Sequence, residues 1–453
     1  MAQSGRVSTI TATFKLSTPA FIGGVDNKQK AELRLPSVLG VLRFWWRALA
    51  WSATAGVGNE QARLNQLREW EGELFGAAAS GDGKGGQGRF IARLVPPHPR
   101  QGARPHRPFM SYNEGQSIPP EGRWRRGSGR DYLAGQGLAG RRYLEAGEQF
   151  VIQLRSRHPY RWGVRGNVAP SIIDAIETTG LLGGIGARSR RGFGGLRLAK
   201  LQVDDDFRSQ PSDPASYVRA LQALLSRWSC AATNPNDVPF SAFSKLNRAF
   251  VVRGQSSQAD LHDEMGHRLH YFRGYGVLED EVRRVGGMKV EHPQFKPDHD
   301  WFADVNRRIA DKRAPTHLDS APARCIFGLP HAYYKRDQDA SKPDYRVTVT
   351  GASTDRRASP LLLHIHAFDG GEKPVAVWSV FPCAFLDPQA ATARPLQVQR
   401  VRLVYNQAKQ KKVSDRPRPP PWRVRMQPDY EPIYRFLTPT HVPGLESLGS
   451  APP

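Results

Sequence analysis

The sequence predicts an α+β fold, and three observations carry that prediction. Short runs alternate apolar and polar residues with period 2, apolar stripes of helical period lie between them, and Gly- and Pro-rich stretches separate the two. The chain has 453 residues, of which 39% are hydrophobic, enough for two or three cores rather than one.

Arg6 to Ser17 sets Ile10, Ala12, Phe14 and Leu16 on one face, the pattern of a strand. Leu35, Val38, Leu39, Leu42, Trp46 and Leu49 recur at helical spacing. They predict a helix over Leu35–Ala53, with Pro36 where a first turn tolerates it. A second helix is expected from about Asn59 to Phe75, closed by Gly76, then a Gly/Ala/Ser loop to Gly88 and a short strand at Arg89–Val95. Pro96–Arg130, dense in Pro, Gly and Arg, reads as a long basic loop. A strand follows at Gln149–Leu154, and a helix at Ala169–Leu182 with Ser171 or Pro170 near its start. A glycine-rich segment comes next, and Gly195–Val203 is the closing strand.

Strand, helix, strand, strand, helix, strand is the split β-α-β order of a ferredoxin-like domain, which RNA-recognition folds also use. The acidic, Pro-bearing stretch Asp204–Pro214 marks its end, so the first domain is expected over residues 1–205. A second α+β domain is expected over 206–425. Its helices are Tyr217–Trp228, Gln258–Arg273 and Asp298–Ile309. Its strands are Ala249–Arg253, Arg346–Thr350, Leu361–Phe368, Val375–Phe381 and Leu396–Val404. Lys409–Pro421 reads as an exposed basic connector, and residues 426–453 as a partly disordered tail.

Charge is the strongest global signal. Lys and Arg number 65 against 42 Asp and Glu, a formal charge of +23 and a pI near 10.3. Such a surplus attracts polyanions. Arginine dominates it, which favours forked contacts to phosphate and stacking on bases. A surplus that serves solubility alone fits less well, because the charge is spread through segments that read as folded. Three widely spaced cysteines, Cys230, Cys325 and Cys383, form neither a disulfide framework nor a zinc pattern and suit a reducing cytosol. Met1–Thr13 has no apolar signal core, and the apolar run Val38–Ala50 is interrupted by Arg43 and Arg47. The expectation is a cytoplasmic chain with no membrane span.

Gly183–Gly195 is the most informative stretch. Its glycines permit positive φ and close backbone approach, and successive N–H groups in such a loop can form an anion nest. Arg188, Arg190 and Arg191 supply charge for phosphates, and Phe193 a ring for stacking on a base. The segment follows a helix and precedes a strand, the reverse of a dinucleotide turn, and it lacks the Gly-Lys-Ser/Thr ending of a P-loop. Arg43 and Arg47 share one face of the first helix, with Arg34 just before it. They suit phosphate contacts, or ion pairs with Glu32 or carboxylates elsewhere. Trp45 and Trp46 read as core.

Catalytic patterns are weaker. His262 and His267 are five apart, so they diverge around a helix instead of forming a zincin pair. His364 and His366 share one face of a strand and offer an acid–base pair for RNA cleavage, or two half-buried strand residues. No metal or cofactor set is expected.

Gly184, Gly186, Gly192 and Gly194, in a GxGx5GxG arrangement after the second helix of the split β-α-β unit, resemble the signature of the CRISPR-associated RAMP superfamily. Thr18-Pro-Ala-Phe-Ile-Gly-Gly24, Glu32-Leu-Arg-Leu-Pro-Ser-Val-Leu-Gly-Val-Leu-Arg-Phe-Trp-Trp-Arg47 and Glu73-Leu-Phe-Gly76 narrow the resemblance. So do Phe327-Gly-Leu-Pro330 and Arg356-Arg-Ala-Ser-Pro-Leu361. Together they resemble the first-numbered RAMP subunit of the type III-B (Cmr) effector complex.

The resemblance implies two ferredoxin-like domains with long basic insertions. It implies a non-catalytic subunit that meets guide RNA near its 3′ end, complementary target RNA and other RAMP subunits. Arg356 and Arg357 enter as second-domain RNA contacts through the matched segment. The alternative is a metal-independent RAMP endoribonuclease that processes guide precursors. A basic DNA- or ribosome-associated protein is the third reading.

Overall fold

A computed structural model gives the structure of the protein. It describes residues 8–23, 31–78, 85–95, 128–135, 138, 141–157, 162–164, 169–274, 277–278, 281–282, 284–285, 288–289, 294–295, 297–298, 300–302, 317–318, 321–335, 344–351, 356–386, 395–406, 411–414, 422–425 and 428–448.

The first half runs β1 (Thr9–Leu16), α1 (Leu35–Ala53), α2 (Glu60–Phe75), β2 (Phe90–Val95), α3 (Gly129–Ala134), β3 (Gln149–Ser156), α4 (Ile172–Leu182), β4 (Leu196–Val203) and β5 (Asp206–Arg208). Every expected helix and strand of this half is present. Asn59 caps α2 through the Ala62 N–H, and Ser171 with Asp174 forms a capping box that starts α4. The sheet is antiparallel in the order β2-β3-β1-β4-β5. Strand β1 buries Ile10, Ala12, Phe14 and Leu16, as its alternation predicts. Two expectations change. Gly129–Ala134 is helical where the basic loop was expected to continue, while 96–127 lie outside the described residues. Asp206–Arg208 extends the first sheet where a linker was expected.

The second half runs α5 (Pro214–Arg227), β6 (Arg248–Arg253), α6 (Gln258–Arg273), β7 (His331–Lys335), β8 (Asp344–Gly351), β9 (Leu361–His366), β10 (Val375–Val380), β11 (Pro395–Asn406), β12 (Lys411–Ser414), β13 (Trp422–Arg425), α7 (Glu431–Phe436) and β14 (Leu445–Leu448). One antiparallel sheet has the order β9-β10-β6-β14. A separate sheet joins β13, β11, β8 and β7, with β12 on β11 and the two-residue strand His317–Leu318 on β13.

The tail expectation is corrected here. Leu445–Leu448 pairs with β6, and Ile433 and Phe436 of α7 are fully buried, so within 428–448 the chain is packed and paired where a tail was expected, while 426–427 and 449–453 lie outside the described residues. Likewise Lys411–Ser414 is a strand inside the stretch expected to be a connector. Of the expected helix Asp298–Ile309, residues 297–298 and 300–302 are helical, and the rest lies outside the described residues.

The two halves share their cores. Strands β9 and β10 are buried at every position, which suits their largely apolar sequences. One face of that sheet carries Leu363, Ile365, Trp378 and Phe250 against Leu261, Met265, Leu269 and Phe272 of α6. The other carries Leu362, Val375, Val377 and Val251 against Trp45 and Leu49 of α1, Leu181 and Leu182 of α4, and Tyr217 of α5. Helix α1 turns its remaining apolar side, including Leu42, Trp46 and Ala50, onto the first sheet's core. Arg197 of β4 and Lys15 of β1 both reach Asp369 beyond β9, at 2.6 and 2.8 Å.

Candidate nucleic-acid interface

The glycine segment leaves α4 at Gly183 and enters β4 at Leu196, and the loop after β1 holds it on one side. Gly194 N donates to the Pro19 carbonyl and Ala187 N to the Phe21 carbonyl. The Thr18 hydroxyl donates to Gly192 O and accepts from Gly195 N. Gly184 pairs with Gly195 across the loop. Gly186, Gly192 and Gly194 all have positive φ. At Gly194 a Cβ would fall inside the Ile185 carbonyl, so glycine is required there by both conformation and space.

The second half holds the other side. His262 Nε2 lies 2.9 Å from the Arg191 carbonyl oxygen, and Leu363 N donates to the Arg190 carbonyl. The imidazole of His364 lies 3.0 Å from the Gly183 carbonyl. Burial pushes His262 and His364 down to about 4 and His366 well below its ordinary value, so all three are neutral in the fold. His364 and His366 do share one face, 3.4 Å apart, but that face packs on α1, α4 and α5. Each is 2% exposed, and His366 packs on the Tyr217 ring. Their surroundings are those of packed strand residues, without access for an RNA substrate. Among the described residues no group of His, Cys, Asp and Glu could hold a metal ion.

Phe193 requires a correction. Its side chain is fully buried, edge-on to Phe21 at 5.5 Å and to His262 at 4.7 Å, so its ring has no free face for a base. Glycines around it let the backbone fold tightly over an apolar anchor that joins the two halves.

The three segment arginines diverge. Arg190 donates to Ser359 O at 2.6 Å and to the Ser241 hydroxyl, and it lies over the Phe44 ring. Arg191 donates to Leu133 O at the end of α3. Burial lowers both guanidiniums to about 10, which leaves them charged at neutral pH. Arg188 stands in the left-handed region at φ 63° and is exposed. It gives Nε to Ala134 O, the other free carbonyl at the end of α3, where a cation complements the helix dipole. Its pKa is lowered by burial first, then by Arg356 and Arg141, which places three cations near one another.

The remaining candidates separate in the same way. Arg43 donates to Phe75 O and Gly76 O and faces Glu71 at 3.8 Å. Arg47 faces Glu71 at 3.6 Å with its side chain 45% exposed, so the pairing alternative is realised, with Glu71 and not Glu32. Arg34 is exposed and donates to Gly23 O. Arg357 is structural in its contacts. It donates to Ala384 O, and its backbone pairs with Leu329, joining the Phe327–Pro330 and Arg356–Leu361 motifs as one bridge. Arg356 beside it is exposed. Trp45 and Trp46 are core, as expected.

Residues 13–197 match the sequence model of the RAMP superfamily. That match spans 185 of the 453 residues. It covers the whole span from β1 through the glycine loop into β4, the elements that position Arg188. Among curated proteins no sequence matches. Cmr1 from Pyrococcus furiosus, in its apo form, is similar over 84% of this chain and 89% of its own, at 16% identity and a TM-score of 0.42. A chain of the type III-B Cmr-beta complex bound to cognate target RNA is similar over 85% of this chain and 97% of its own, at 10% identity and a TM-score of 0.44. A chain of Cmr-beta bound to cognate target RNA and AMPPnP in the presence of ssDNA gives 83%, 94%, 10% and 0.42 for the same measures. Sequence reasoning missed Arg141 within that span and Arg273 and His331 outside it. No local pattern marks them, because their neighbours come from distant parts of the chain. Among the described residues no helix is long and apolar enough to cross a membrane.

Proposed function

We propose that the chain is a non-catalytic RNA-binding subunit of a type III-B (Cmr) RNA-guided effector complex. In this reading it stands toward the guide 3′ end and helps capture complementary target RNA. The observation that carries it is the RAMP match over residues 13–197, whose glycine segment presents Arg188 beside Arg356 of the second half. The ordered motifs around Glu32–Arg47 and Phe327–Pro330 support the subunit assignment by resemblance. Both halves are read as ferredoxin-like. Each assembles strand, helix, two strands, helix and strand, and the sheet orders β2-β3-β1-β4 and β9-β10-β6-β14 are the same.

Exposed Arg34, Arg47, Arg188 and Arg356 are the proposed phosphate contacts, while Arg43, Arg190, Arg191 and Arg357 chiefly hold carbonyls of this chain. Guide RNA, target RNA and other RAMP subunits are the proposed partners, in the cytoplasm. The tagged full chain, purified from its host, is expected to bring down other RAMP subunits with a short guide RNA. Specific cleavage of repeat RNA in EDTA, lost on H364A or H366A, would overturn the reading.

A further inference from the structure

The two halves cover their sheets differently. The β9-β10-β6-β14 sheet has an apolar core on each face, whereas the first sheet buries one face, under α1 and α4. Its other face is open, and strand register shows which side chains stand on it. Arg93 of β2 pairs with Gln153 of β3, Gln153 with Thr11 of β1, Thr11 with Gln202 of β4, and Gln202 with Phe207 of β5. Directly opposed residues share a face, so these side chains form one row across the sheet. At the usual strand spacing the row is about 19 Å long. Neighbouring rows on the same face add Ile91 with Arg155, and Val151 with Thr13 and Lys200.

None of these side chains belongs to an apolar core. Among the described residues the large hydrophobic side chains left exposed are Ile91, at 52%, and Phe207, at 73%, and both stand on this face. Charge is uneven along it. Toward the second half, Asp369 takes up Lys15 and Arg197. Away from that end Arg93, Arg155 and Lys200 are exposed and pair with no carboxylate among the described residues. In the acidic turn 204–206, Asp204 accepts from the Ser8 hydroxyl and the Thr9 N–H. Asp205 is in the turn itself, and Asp206 stands opposite Val203 on the covered side.

Such a face suits an occupant that is anionic along its length and carries planar groups with hydrogen-bonding edges. Phosphates would meet the cations, a base the Phe207 ring, and base edges the glutamine and threonine side chains. A protein surface of ordinary composition would meet unpaired cations and little apolar area to bury. We propose that the open face of the first sheet is a platform for single-stranded RNA, with a base stacked on Phe207 and phosphates on Arg93, Arg155 and Lys200. This rests on the RNA-binding reading above and adds a surface to the exposed Arg188 and Arg356 rim. Phe207 comes from β5, outside the β2-β3-β1-β4 unit, so the short strand that extends the sheet supplies the stacking ring.

The test uses the full-length chain, F207A and the triple variant R93Q/R155Q/K200Q. Each is titrated with a single-stranded RNA at several salt concentrations, beside melting curves. F207A is expected to weaken binding about tenfold with the salt slope unchanged, because stacking releases no counterions. The triple variant is expected to lower the salt slope by about two units. Neither melting temperature should fall, since the replaced side chains are exposed. A lower melting temperature with RNA binding intact would make these side chains structural and overturns the platform. Wild-type RNA binding that both variants keep in full overturns it too and leaves the RNA reading standing. Variants that keep RNA binding but no longer bring down other RAMP subunits make the face a protein contact, which also overturns the platform. A wild-type chain that binds no RNA even at low salt sinks the RNA reading, and the platform with it.

Discussion

The His262 imidazole, on α6 of the second half, lies 2.9 Å from the carbonyl oxygen of Arg191 in the glycine segment of the first. The ring is fully buried, edge-on to Phe193, and sits where a side chain at Gly192 would be. H262A removes the bond and opens a cavity between the halves. A loss of about 3 kcal/mol in urea unfolding is expected. A loss below about 1 kcal/mol would mean that the contact does not join the halves.

Gly194 gives a sharper case. It has φ 61° and no room for a Cβ against Ile185 O. G194A adds left-handed strain to a backbone clash, together about 3 kcal/mol. The same change at Gly370, where φ is 79° and nothing lies within 4 Å of an added Cβ, should cost about 1 kcal/mol. Equal costs at the two positions would show that the glycine segment is not tightly enclosed.

Acidification should weaken the fold before the carboxylates titrate. His262 and His364 are held at about 4 by burial, against 6.5 when unfolded, and His366 is lowered further. Between about pH 6.5 and 4 the unfolded chain takes up protons that the folded chain refuses, so stability falls as pH drops through that window. The slope reaches at most about 1.4 kcal/mol per pH unit for each histidine. Urea midpoints measured from pH 7 to 5 should decline steadily, and a flat profile would mean that these rings are solvated.

Arg188 and Arg356 should separate from Arg357 in RNA binding. R188A and R356A are each expected to lower the salt slope of single-stranded RNA binding by about one unit. R357A should instead lower stability by about 1–2 kcal/mol, since Ala384 O loses its donor. Electrophoretic or fluorescence titrations at several salt concentrations, run beside melting curves, distinguish the two. Unchanged slopes for R188A and R356A would remove the rim from the interface.

Local pattern was enough for much of the backbone. The helices Leu35–Ala53 and Gln258–Arg273 have the boundaries their sequences indicate, because apolar period and capping residues act within a few residues of each other. The tail failed by the same logic. Leu445–Leu448 has a weak pattern of its own and becomes a strand only because β6 offers it an edge.

Side-chain roles were less legible. Composition alone gave a basic chain suited to a polyanion, and the glycine spacing alone gave the RAMP resemblance, since both are properties of the polymer before it folds. Whether Phe193 meets a base or a core, and whether an arginine meets solvent or a carbonyl, was decided by contacts across the chain. Arg190 reaches Ser359, and His364 reaches Gly183. Burial depends on what the rest of the chain packs against a residue, and no local pattern encodes partners some 170–180 positions away.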